Sequence, residues 1–105
     1  MAFTGNWTTN AFKTGLMDGT FNFTSGSFYL ALYTNSATLD ATTTAYTATG
    51  EASGGNYVVG GNLLTIAQAP TIGSQTGAAT AYISFSNTSW TGAITARGAL
   101  IYKAG

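Results

Sequence analysis

From Ser27 onward the apolar side chains recur at every second position, and that period of two is the signature of strands. The run Ser27 to Thr34, SFYLALYT, sets Phe28, Leu30 and Leu32 on one face and Tyr29, Ala31 and Tyr33 on the other. Apolar groups on both faces suit a strand covered on each side. Ala79 to Ser86 sets Ala79, Ala81, Ile83 and Phe85 against Thr80, Tyr82, Ser84 and Ser86. NLLTIAQ, from Asn62 to Gln68, and RGALIYK, from Arg97 to Lys103, give two further short strands. Glycine pairs at Gly54-Gly55 and Gly60-Gly61 bracket Tyr57-Val58-Val59, which reads as a brief strand turning into the next. Strands are therefore predicted over 27–34, 56–59, 62–68, 79–86 and 97–103. Pro70 is expected to end the third of these, with Gly73, Ser74 and Gly77 forming the loop beyond it.

Only the stretch before Ser27 offers a helix. Thr8, Thr9 or Asn10 can cap a run holding Phe12 and Leu16 four apart, and Gly19 stands where a C-terminal glycine belongs. A helix over about 9–18 follows, although Gly15 within it costs about 1 kcal/mol against alanine and calls for packing. Segment 35–53, NSATLDATTTAYTATGEAS, is polar and aperiodic; it reads as a long loop with at most a brief strand near Tyr46. The fold class expected is mainly β: one domain over 1–105, a small antiparallel β-sandwich or barrel with one short N-terminal helix.

Six charged residues among 105, with neither histidine nor cysteine, remove most of the means of catalysis. Imidazole bases, thiolate nucleophiles and soft metal ligands are all missing. Asp18, Asp40 and Glu51 sit at no spacing that makes a paired acid and base, so no cofactor, metal or small-molecule substrate is expected. An isolated aspartate in a turn ordinarily bonds its own backbone. Lys13, Arg97 and Lys103 are scattered, which leaves nucleic acid no electrostatic footing. The N-terminal MAFTGNWTTNAF lacks the basic and apolar regions of a signal peptide, and no run approaches the roughly 18 apolar residues of a membrane span. Asn-x-Thr/Ser triplets at Asn6, Asn22 and Asn87 are expected by chance in so threonine-rich a chain. A neutral surface with little self-repulsion favours attachment to something larger.

Two groups of residues stand out. Glu51 and Arg97 are the candidate structural ion pair, with contact to a neighbouring subunit as the alternative. Phe28, Phe85 and Trp90 read as core, whereas Tyr29, Tyr33, Tyr82 and Tyr102 are candidate interface residues. Asp40, Thr42, Thr43, Thr44 and Tyr46 join them, because a long loop that orders on a partner accounts for segment 35–53.

The runs FKTGLMDGTFNF, FYLALYTNSATLDATTTAYTATGEASGGNYVVGGNLLT, AYISFSNTSW and ARGALIYKAG, taken in order over roughly residues 11 to 103, resemble a family of small tailed-bacteriophage virion proteins. The resemblance implies a non-enzymatic structural role in a virion assembled in the host cytoplasm. It best fits a capsid decoration or cement protein whose partners are the major capsid protein and copies of itself, as a homotrimer. A tail- or fibre-associated component is the alternative, and a carbohydrate-binding module a remote one.

Overall fold

The computed structural model describes residues 8–24, 26–73 and 80–104. The fold is mainly β, with one short helix and two antiparallel sheets. Helix α1 spans Asn10–Asp18; strands are β1 (Ser27–Tyr33), β2 (Asn62–Leu63), β3 (Ile66–Gly73), β4 (Thr80–Phe85) and β5 (Gly98–Ala104). The first sheet runs β2-β1-β5, and the second pairs β3 with β4.

Thr9 caps α1, its Oγ1 accepting the Phe12 N–H at 3.0 Å, and Gly19 ends the helix in the left-handed region. Gly15 is buried against Phe21, where a Cβ would come within 2.2 Å of the ring. Its lack of a side chain thus lets the chain fold back onto the helix. Phe12, Phe21, Phe23 and Phe28 then form a ladder of rings 4.5–6.4 Å apart. Phe85 of β4 joins it through Phe23 and Phe28, both at 6.3 Å, which ties the second sheet to the first.

β1 is the centre of the molecule. It pairs along its whole length with β5, from Ser27 opposite Ala104 to Tyr33 opposite Gly98. On its other side it pairs with β2 and, at Tyr33, with Glu51. Ala31 and Tyr33 are fully enclosed, and Ala37 and Leu39 close over them, with Tyr46, Leu100 and Tyr102 packed around the cluster.

Several expectations are revised by this arrangement. Residues 56–59 form turns instead of a strand. The run 62–68 is split: Asn62–Leu63 belongs to the first sheet, and Ile66 onward to the second. Buried Leu64 sits at the crossing, its N–H donating to the Phe28 carbonyl at 2.7 Å. Pro70 does not end β3, which continues to Gly73. The register with β4 shifts between Gln68 and Thr71, so the irregularity falls where proline cannot donate a ladder bond. Ala79, Ser74 and Gly77 lie outside the described residues, as does Asn6.

Segment 35–53 has no strand at Tyr46, and its only ladder contact is the bridge at Glu51. Neither is it a detached arm. Ala37, Leu39 and Ala52 are core residues, and Thr34 and Ala52 donate to the carbonyls of Gly50 and Leu32 at 2.8 and 2.9 Å. Small side chains make this possible: alanines press close under a thin sheet where larger residues would not fit.

Candidate interaction surface

Glu51 gathers the most concentrated polar network of the described residues. The bridge to Tyr33 delivers its backbone to the edge of β1, and the carboxylate reaches into a ring of tyrosines. Oε1 accepts the Tyr46 hydroxyl, and Oε2 accepts the Tyr57 hydroxyl and, at 2.7 Å, the Gly60 N–H. Tyr57 in turn accepts the Leu32 N–H at 3.0 Å, locking it to β1. Tyr102 reaches across from β5 and donates to the Gly60 carbonyl at 2.6 Å. Tyr33 donates to the Thr47 carbonyl at 2.7 Å. Bonds to an ionised acceptor are about twice as strong as neutral ones, so a single carboxylate organises both the loop at Tyr46 and the turn after Tyr57.

The phenols register this environment. Burial, reinforced by the Glu51 charge, pushes the Tyr33 hydroxyl up to about 12. The hydrogen bond to Glu51 raises Tyr46, burial followed by that bond raises Tyr57, and burial raises Tyr102. All four are therefore neutral donors at ordinary pH.

What this network holds in place is an exposed apolar pair. Val58 and Val59 lie between two residues fixed to Glu51, and the Gly61 N–H closes the turn on the Val58 carbonyl at 2.8 Å. Val58 is 64% exposed and Val59 74%. Gly61 approaches β1 so closely that a Cβ would lie 1.9 Å from the Leu30 carbonyl oxygen. These ties explain why the sequence Tyr57-Val58-Val59, strand-like by residue type, is drawn into a turn.

A cleft of about 510 Å³ lies against β5. Five consecutive residues of that strand, Ala99 to Lys103, line it, together with Phe28 of β1. Phe12, Phe21 and Tyr46 line it as well. The Tyr102 ring borders this cleft while its hydroxyl holds the turn at Gly60.

The residues singled out from the sequence fall unevenly on this geometry. Tyr33 is not an interface residue: it has no exposed surface and belongs to the core. Both Glu51 carboxylate oxygens accept from tyrosine hydroxyls. Glu51 and Arg97 flank the Tyr33 main chain, Glu51 bridged to it and the Arg97 N–H donating to its carbonyl at 2.7 Å. Tyr29 and Tyr102 stack at 5.7 Å, and Tyr46 meets Tyr102 at 4.7 Å, so these half-buried rings form one patch. Tyr82 stands apart from it on β4, half-buried. Asp40 accepts the N–H and hydroxyl of Thr42, which holds its carboxyl below the usual range, and Thr43 accepts the Asp40 N–H at 2.9 Å. Asp18 does the same with Thr20. Thr44 is exposed beside the cleft. Tyr57, Val58 and Val59 carry no sequence signal of a surface, because glycine pairs flank a short strand and a clamped turn alike. Among the described residues no group of three or more acidic side chains comes together to hold a metal ion.

No protein-family model, no curated protein and no solved structure matches this chain.

Proposed function

We propose that this chain is a non-enzymatic structural protein of a tailed-bacteriophage virion, and that it decorates and stabilises the assembled capsid shell. The observation that carries the reading is the Glu51 clamp. A charge-poor chain commits one of its three carboxylates to holding Val58 and Val59 rigidly in solvent. A preorganised apolar turn loses little entropy on docking, which is what a permanent contact requires. The ordered motif resemblance over roughly residues 11 to 103 supports the virion setting, and the neutral surface suits contacts made by shape. Repetition over a symmetric shell would multiply individually weak contacts into firm attachment.

Copy number separates this reading from the tail or fibre alternative. A decoration protein is expected in purified particles at a fixed, near-stoichiometric ratio to the major capsid protein by gel densitometry, and shells stripped of it are expected to lose heat resistance. A ratio of a few copies per particle would move the protein to the tail, and absence from particles would overturn the reading.

A further inference from the structure

We propose that β4 pairs antiparallel with β4 of a second copy, so that the two-stranded sheets of two chains join into one sheet of order β3-β4-β4-β3. Successive residues of a strand turn their N–H and C=O groups to opposite sides, so every second residue of β4 offers its pair away from β3. Among the described residues nothing takes these groups up. The second sheet consists of β3 and β4, and no main-chain bond outside it reaches Thr80–Phe85. A two-stranded ribbon is marginal in water, where three or more strands are needed for a sheet to stand by itself. This ribbon is tied to the body at its Phe85 end, where that ring meets Phe23 and Phe28 and the Ser86 N–H donates to the Thr65 carbonyl at 2.8 Å. Toward its other end Ile72 is 72% exposed, and a Cβ on Gly73 would meet nothing within 4 Å.

The other open edges carry devices that discourage pairing. β2 is two residues long. β5 contains Lys103 and follows Arg97, and charge on an edge strand resists a second strand. β3 takes five steps from Ile66 to Thr71 where β4 takes three from Phe85 to Tyr82, so both extra residues bulge from β3, with Pro70 in the same span. β4 has no such device. Its sequence TAYISF holds no charge, proline or glycine, and Thr80, Tyr82, Ile83 and Phe85 are strand formers. Residues 52–96 carry no charge at all, so two copies meet here without repulsion.

A second copy is the occupant that fits. Among the described strands β4 alone has an unprotected edge, so the matching edge within this sequence is its own, and a two-fold axis pairs it with itself. The antiparallel sense sets the two bodies at opposite ends of the joint sheet, because each ribbon is tied to its body at Phe85. Growth stops at two chains, since the outer strands of the joint sheet are then the bulged, proline-bearing β3. With the axis at Tyr82 or Ile83, like faces meet, and Tyr82 of one copy stands opposite or diagonal to Tyr82 of the other.

Pairing needs no shell, so it is tested on the purified chain, and its failure would leave the proposed function standing. Light scattering after size exclusion is expected to show wild type reaching twice the 10.7 kDa of one chain as concentration rises. Tyr82→Lys and Tyr82→Glu each bring like charges together across the axis, and each is expected to stay a single chain. Mixed in equal amounts, the two are expected to return to twice that mass, because opposite charges then face each other. Wild type that stays a single chain, as it would if β4 receives a strand of a different protein, would overturn the proposal. So would either variant associating like wild type, or a mixture no heavier than its parts. Amide hydrogen exchange of wild type gives an answer that does not depend on how the variants fold. Alternate amides within 80–85 are expected to slow as concentration rises, while those of β5 keep their rates. A dimer that slows β5 instead, or slows no amide of β4, would contradict the pairing.

Discussion

Removing the Glu51 carboxylate should unfasten the turn and the Tyr46 loop together. In Glu51→Ala, the Tyr46 and Tyr57 hydroxyls and the Gly60 N–H all lose their acceptor. Each donor left without its acceptor costs about 1–3 kcal/mol, and half-burial lets water take up part of the deficit, so the three together cost about 3 kcal/mol. A domain of this size has about 5–15 kcal/mol in hand, so the variant still folds. Glu51→Gln keeps an acceptor for Tyr57 and Gly60 but gives up the charge. With the Tyr46 hydroxyl free to turn and accept from the amide, no donor is stranded, and the loss is smaller, about 1–2 kcal/mol. Urea unfolding followed by tyrosine and tryptophan fluorescence measures both. With a slope of about 1.5 kcal/mol per molar, the midpoint drops by about 2 M for alanine and about 1 M for glutamine. Equal losses in the two variants, or an alanine variant within about 0.5 kcal/mol of wild type, would refute the clamp.

Four further expectations follow from the same structure. Tyr57→Phe is expected to cost about 2 kcal/mol in urea unfolding and Tyr46→Phe about 1, because losing the Tyr57 hydroxyl also strands the Leu32 N–H; the reverse order would contradict the assigned bonds. Raised phenol values mean that the folded state holds these protons more tightly than the unfolded chain, whose tyrosines titrate near 10.0. Their contribution is thus complete below pH 10, and stability is expected to fall as pH climbs from 10 toward about 12, read as urea midpoint against pH alongside tyrosinate absorbance. Leu39→Ala, within the polar segment 35–53, is expected to cost about 3 kcal/mol by leaving a cavity beneath Tyr33, whereas a loop detached from the core would lose nothing. Gly61→Ala is expected to cost about 3 kcal/mol or more in thermal or urea unfolding, since φ of 82° and the Leu30 carbonyl both oppose a Cβ; a neutral result would place the turn elsewhere.

The regular elements were readable because local physics specifies them. Thr9 and Gly19 mark the ends of α1, and alternation marks β1, β4 and β5 to within a residue or two of their described bounds. What could not be read depends on contacts far along the chain. Leu64 divides a continuous apolar run between two sheets, and nothing in NLLTIAQ announces the crossing. Ala37 and Leu39 carry too weak an apolar signal to show that a threonine-rich segment closes the core over Tyr33. The alternation rule placed Tyr33 on a strand face correctly, but it could not tell a solvent face from one covered by that segment. Charge scarcity did point to Glu51 as worth locating. It did not suggest the tyrosines, because opposite charge is visible in a sequence and a neutral phenol that turns toward a carboxylate is not.

A side-chain-detail reconstruction of purified phage particles tests the proposed function most directly. The chain is expected in many symmetric copies on the capsid shell, with the turn held by Glu51 intact and Val58 and Val59 buried in a protein contact. Copies confined to the tail, or valines facing solvent in every copy, would contradict it.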